Sequence, residues 1–111
     1  MRKIEREMIQ AIIDRRDWRK ANTEVRVLEQ TGGKGALVLL HGNPIAQYDC
    51  DGKMAVRHAG WLTSTTKSRI NAFLRHLGRA GYGVHQCAYS WFLTDQEGER
   101  PMNSDGWYGV A

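Results

Sequence analysis

Gly60-Trp61-Leu62-Thr63-Ser64-Thr65-Thr66-Lys67-Ser68-Arg69-Ile70-Asn71 reads as the exit of a β-hairpin turning into the one strongly amphipathic helix in the middle of the chain. A tryptophan closes the strand, four consecutive hydroxyl residues offer caps, and Lys67 and Arg69 stand where most helices carry acids. The helix is predicted from about Thr65 to Ala80. Thr66, Ile70, Phe73, Leu74 and Leu77 recur at helical spacing and form the stripe that should face a sheet. Opposite them Lys67, Asn71, Arg75 and Arg79 recur every four residues, with no acid among them and with Arg69 and His76 as flanks. Gly78 and Gly81 mark the end, Gly81 being the better candidate for the left-handed position after the helix.

Before this stretch the pattern has period two. Thr23–Gln30 places Val25 and Val27 on one side and Glu24 and Arg26 on the other. Residues 31–35 (Thr-Gly-Gly-Lys-Gly) form a flexible turn, and residues 36–41 are apolar on both faces, as in a central strand covered from both sides. Gly42-Asn43 and Asp51-Gly52 are hairpin signals that isolate a strand over residues 45–50, and a further strand covers 53–59. Consecutive antiparallel strands are the economical reading. Residues 2–20 show helical periodicity through Ile4, Met8 and Ile12, widened by Ile9 and Ile13, with Glu5, Arg6, Asp14 and Arg15 as polar flank. That apolar face must be covered, by the protein's own sheet in preference to a partner subunit. After the central helix, residues 84–94 read as one long strand, 95–105 as a polar loop, and 106–110 as an added edge strand.

The expected fold is therefore α+β: an antiparallel β-meander of about five strands, one helix packed across it, and an N-terminal helix. Residues 1–20 are the helix, docked or used as an arm, and residues 21–111 are a single domain. At 111 residues the chain can bury a core without staples. Sixteen Lys and Arg against twelve Asp and Glu give +4, which favours a polyanionic partner modestly. Two cysteines without a C-x-x-C pattern, a charged start and no apolar run near the roughly 18 residues of a membrane span lead to the expectation of a cytosolic protein with reduced thiols and no membrane partner.

Leu40-His41-Gly42-Asn43-Pro44-Ile45-Ala46, the Gly60–Asn71 stretch with its Trp-x-Thr-x-Thr-Thr-x-x-Arg-x-Asn core, then Val84-His85-Gln86 and Trp91 form a pattern across residues 25–91. In it the chain resembles a small family of tailed-bacteriophage proteins. The likeness covers about two thirds of the chain and leaves out the N-terminal helix. The resemblance implies phage origin, and hence the host cytoplasm as the place of action, but it transfers no catalytic residue.

Candidate sites follow from residue chemistry. A helix N-terminus presents unpaired N–H groups and partial positive charge. Thr63 or Ser64 should cap it, while Thr63, Ser64, Thr65 and Arg69 could together seat a phosphate. The competing role for Arg69 and Asn71 is internal, bonding loop carbonyls of the meander to hold the helix in register. Lys67, Asn71, Arg75 and Arg79 form either a solvated face or a track for a phosphate backbone. Trp61, Tyr82, Tyr89 and Trp107 could supply stacking surfaces for unpaired bases, though core packing is the simpler fate for Trp61 and Trp91. Among His41, Cys50, His58, His85 and Cys87, only the last two share a strand face, so no metal site is expected. Nuclease chemistry from His41, Asn43, Asp49, Asp51 and His58 lacks paired carboxylates, and neither cysteine has an evident base. The reading is a small non-enzymatic protein without cofactors that binds nucleic acid through its basic helix face. The alternative is a modulator that binds a host protein, a defence or transcription component.

Overall fold

In the computed structural model, which describes residues 1–111, the N-terminal helix α1 (Lys3–Ile13) stops well short of residue 20. Asp14 ends it, and Arg15 turns the chain with a left-handed φ of 51°. Its guanidinium is held by the carbonyls of Ile12 and Lys34 and lies 4.8 Å from the centre of the Tyr48 ring. The residues beyond it form a strand, β1 (Trp18–Lys20), followed by β2 (Thr23–Gln30), β3 (Gly33–Leu40), β4 (Asn43–Tyr48) and β5 (Met54–Val56). These five consecutive strands are an antiparallel meander, and the C-terminal β9 (Tyr108–Val110) adds a sixth beside β5.

The turns sit one or two residues away from where the glycines alone suggested. Thr31-Gly32 joins β2 to β3, and His41-Gly42 joins β3 to β4, so β3 runs longer than expected and β4 is shifted two residues earlier, while β5 is shorter than the expected 53–59. His41 and Gly42 both have positive φ, 51° and 79°, as a two-residue hairpin turn requires. A register shift after Val38 makes Ile45 an extra residue on β4, and Ile45 and Ala46 are thereby both buried.

The second helix, α2 (Ser64–Leu77), is followed by the larger surprise. Residues 84–94 are not one strand: β6 (Gly83–Cys87) and β7 (Ser90–Asp95) form a hairpin, and β8 (Gly98–Pro101) completes a separate three-stranded sheet from the supposed polar loop. A two-residue turn reverses the parity of inward positions. Val84 and Gln86 therefore share a face with their partners Leu93 and Trp91, of which all but Gln86 are buried, and not with Ser90 and Phe92 as an unbroken alternation would have it.

Across the large sheet, Val25, Val38, Ala46 and Val56 are register partners and all are buried. Met8, Ile9 and Ile12 of α1 and Ile70, Phe73 and Leu74 of α2 share one core cluster with this row and with Val84, Trp91 and Leu93 of the small sheet. Leu77 packs at its margin. The apolar face of α1 is thus covered within the chain through Met8, Ile9 and Ile12, while Ile13 at its end is exposed. On the other face of β3, Leu37 is half-buried and Leu39 is buried, though Leu39 lies outside the main core cluster.

Side chains close the seam between the sheets. The Asp95 carboxylate accepts hydrogen bonds from the backbone N–H of Ala111 (3.0 Å) and Glu97 (3.0 Å) and pairs with Arg100 at 2.7 Å. Burial pushes this carboxyl up, but the two backbone N–H bonds and the Arg100 guanidinium outweigh it, and the net shift is downward. Asp49, in the β4–β5 turn, is likewise held below the usual carboxylate range, by hydrogen bonds from Gln47 and Gln30.

Candidate nucleic-acid interface

The start of α2 is capped by Thr63, whose Oγ1 accepts the Thr66 N–H at 3.2 Å and lies 3.0 Å from the Thr66 hydroxyl. Thr66 is buried, Thr65 half-buried and Ser64 exposed, and no acid lies in the first turn. The phosphate seat expected here lacks its guanidinium. Arg69 is only 5% exposed and points inward: its Nη1 lies 2.8 Å from Glu5 of α1, and its Nε donates to Thr23 of β2 at 3.0 Å. Ser68 donates to the same Glu5 oxygen. Glu5, placed by its spacing on the polar flank of α1, is instead buried as the counter-charge that joins both helices to the sheet. A charge so enclosed persists only when paired and hydrogen-bonded, and both conditions are met.

Asn71 also has an internal role, on the small sheet and not on the meander. Its amide oxygen accepts the Val84 N–H at 2.7 Å and its amide nitrogen donates to the Val84 carbonyl at 3.1 Å. The carboxamide takes the place of a neighbouring strand along the free edge of β6. Position 83 is glycine for this reason: a Cβ there would lie 2.9 Å from the Asn71 oxygen.

Lys67, Arg75 and Arg79 remain on the outer face. Lys67 donates to the Gln86 side chain at 3.2 Å and stands 5.7 Å from the centre of the Trp91 ring. Arg79 donates to the Gln96 side chain at 3.1 Å. Arg75 is exposed between two shallow clefts of about 260 and 310 Å³, one shared with Tyr82 and Thr94, the other with Glu5 and His76. None of these three cations makes an ion pair, whereas Arg69 on the inner side does.

The aromatic candidates divide. Tyr82 is buried and donates its hydroxyl to the Ala111 carbonyl, and Trp91 is core. Trp61 is 45% exposed and stacks on His41 at 5.6 Å, Trp107 is 42% exposed with the Arg57 guanidinium 5.7 Å from its ring centre, and Tyr89 is 92% exposed at the β6–β7 turn. The His41 and Arg57 contacts escaped sequence reading because each joins residues on separate loops. The metal-type residues are scattered: His41 is on Trp61, Cys50 near the Thr31 carbonyl, and His85 beside Glu99. His58 is buried, accepting the Gly60 N–H at Nδ1 and donating from Nε2 to the Met102 carbonyl, which assigns it the neutral Nε2–H tautomer. No three His, Cys, Asp or Glu residues converge as a metal would require, and no helix is long and apolar enough to cross a membrane.

What the fold and this surface define is a two-sheet α+β domain whose outer helix face carries unneutralised cations. The chain belongs to the Kyanoviridae Gp96 protein family, a phage family whose model matches residues 1–109. The match includes α1, which the motif resemblance had left outside. No curated protein and no solved structure matches the chain.

Proposed function

We propose that this phage protein is a non-enzymatic nucleic-acid-binding protein, acting in the host cytoplasm, that meets the phosphate backbone with the outer face of α2. The observation that carries this reading is the state of Lys67, Arg75 and Arg79. Two are steadied by neutral glutamines, the third is free, and none is neutralised by a carboxylate. A face shaped for solubility alone normally mixes signs. Arg69 and Asn71 leave the contact set because each is committed inside the fold.

Each phosphate contact releases counterions, so the slope of log K against log salt counts contacts at roughly −0.7 to −0.9 each. Three cations imply a slope of about −2 to −3 in filter binding, and Arg75→Ala should flatten it by about one contact. Arg75→Glu with Arg79→Glu is expected to abolish retention while leaving thermal unfolding almost unchanged. Failure to retain single- or double-stranded DNA or RNA at about 50 mM salt, where such contacts are strong, ends this reading. The host-protein modulator then takes its place, with Trp61, Leu62 and Trp107 as exposed anchors.

A further inference from the structure

Four of the six large apolar side chains that stand exposed, Trp61, Leu62, Tyr89 and Trp107, lie at one end of the molecule. The strand registers place them there. Leu40 pairs with Thr23 and Asn43, and Val56 pairs with Ala46 and Tyr108, so the His41-Gly42 turn, the loop after β5 and the loop before β9 emerge from the same end of the large sheet. Helix α2 starts from that end as well. Lys67 meets Gln86 and Asn71 meets Val84, so β6 runs antiparallel to α2 and its turn at Ala88-Tyr89 projects toward the helix start.

That turn has no reason to be built as it is for the fold alone. Ala88 and Tyr89 have φ of 48° and 69°, the left-handed pair that a two-residue hairpin needs and that Asn-Gly ordinarily supplies. Tyrosine stands in the second position, where glycine would be unstrained, and 92% of it is in water, so packing does not offset the strain. His41 is similar: φ is 51°, and its exposed ring lies on Trp61 with an interplanar angle of 30°. The cations that reach this end, Arg57 over Trp107 and Lys67 on Gln86, are without carboxylate partners. Open aromatic faces beside unneutralised cations suit a strand whose bases are unpaired, since every base has a π-face to stack and a backbone phosphate next to it. A duplex hides those faces.

We infer that the end formed by Tyr89, the His41–Trp61 pair and the Trp107–Arg57 pair is a base-stacking platform, so that the ligand of the basic face is single-stranded nucleic acid. This inference rests on the nucleic-acid reading of α2. It is tested by fluorescence anisotropy of the full chain with a labelled oligothymidylate and with a blunt duplex of the same length. The single strand is expected to bind more tightly. Tyr89→Gly should weaken it by roughly five- to a hundredfold, the range of one lost base stack, and leave duplex binding unchanged. The same substitution should raise the thermal midpoint, because it removes left-handed strain, and a fold defect therefore cannot mimic the loss. Trp61→Ala, checked by circular dichroism, should act in the same direction. Equal affinity for both probes, or a single-strand preference that survives both substitutions, overturns the platform. In either case Arg75→Glu with Arg79→Glu would still remove binding, and the basic face would stand. Binding of neither probe ends both readings together.

Discussion

Arg69 and Arg75 stand six positions apart on one helix, and their surroundings have made them different instruments. Arg69 is enclosed between α1, α2 and β2 and spends its charge on Glu5 and Thr23. Arg75 faces water with no partner and sits between two clefts. Removing an exposed cation changes the field and little else, whereas removing one member of a buried pair strands the other. The same residue type is thus a buried brace on one side of a helix and an exposed, unpaired cation on the other.

The largest test of this contrast is Arg69→Ala. It leaves the Glu5 carboxylate enclosed without its cation, and urea unfolding should show a loss of about 3–5 kcal/mol, a large share of the stability of a domain this size. Arg75→Ala should fall within about 0.5 kcal/mol of the parent, as surface changes usually do. Replacing the pair together, Glu5→Leu with Arg69→Met, should cost less than either charge removed alone, because no ion is left unpaired. Equal effects at positions 69 and 75 would erase the distinction between buried brace and free surface cation.

Asp95 and Arg100 form an intermediate case, with the carboxylate side chain fully enclosed and the guanidinium 37% exposed. The folded-state pKa of Asp95 is depressed, as is that of Asp49. A depressed carboxylate contributes stability above its unfolded value and loses it as pH falls through the folded one. The protein should therefore weaken from about pH 4 downward. Asp95→Asn should cost about 1–3 kcal/mol at neutral pH, through weakened bonds to Ala111, Glu97 and Arg100, and should make the acid limb of a pH–stability curve shallower. An unaltered acid limb would mean that Asp95 carries no part of it.

Smallest is the stability gain at the hairpin turn. Tyr89→Gly should stabilise the fold by about 1 kcal/mol in urea, since a left-handed non-glycine residue costs roughly that much. A gain in stability joined to a loss of single-strand binding would show strain retained for a ligand, in contrast to Arg69, which lies outside the contact set and braces the fold.

Local patterns were enough for the class of fold and for α2. The inward stripe from Thr66 to Leu77, the Thr63 cap and the succession of meander strands all rest on residues within one or two turns of each other, where period and capping chemistry act. The turns at Thr31-Gly32 and His41-Gly42 are legible only to within a few residues because several glycines compete for the role. The β6–β7 hairpin is invisible in the sequence because Ala88-Tyr89 bears no turn signature, and only the pairing of β6 with β7 reveals it.

The fate of each charge on α2 lay beyond such reading. Lys67, Arg69 and Arg75 have equal formal charge, and neither periodicity nor spacing says which will meet an acid sixty-four residues away. Packing α1 against α2 brings Glu5 to Arg69, and packing β6 along α2 brings Val84 to Asn71. The sequence alone determined that a cationic, acid-free helix face would exist. The tertiary structure decided which of its members are sealed inside and which stay free, because burial and pairing depend on segments that meet only when the chain has folded.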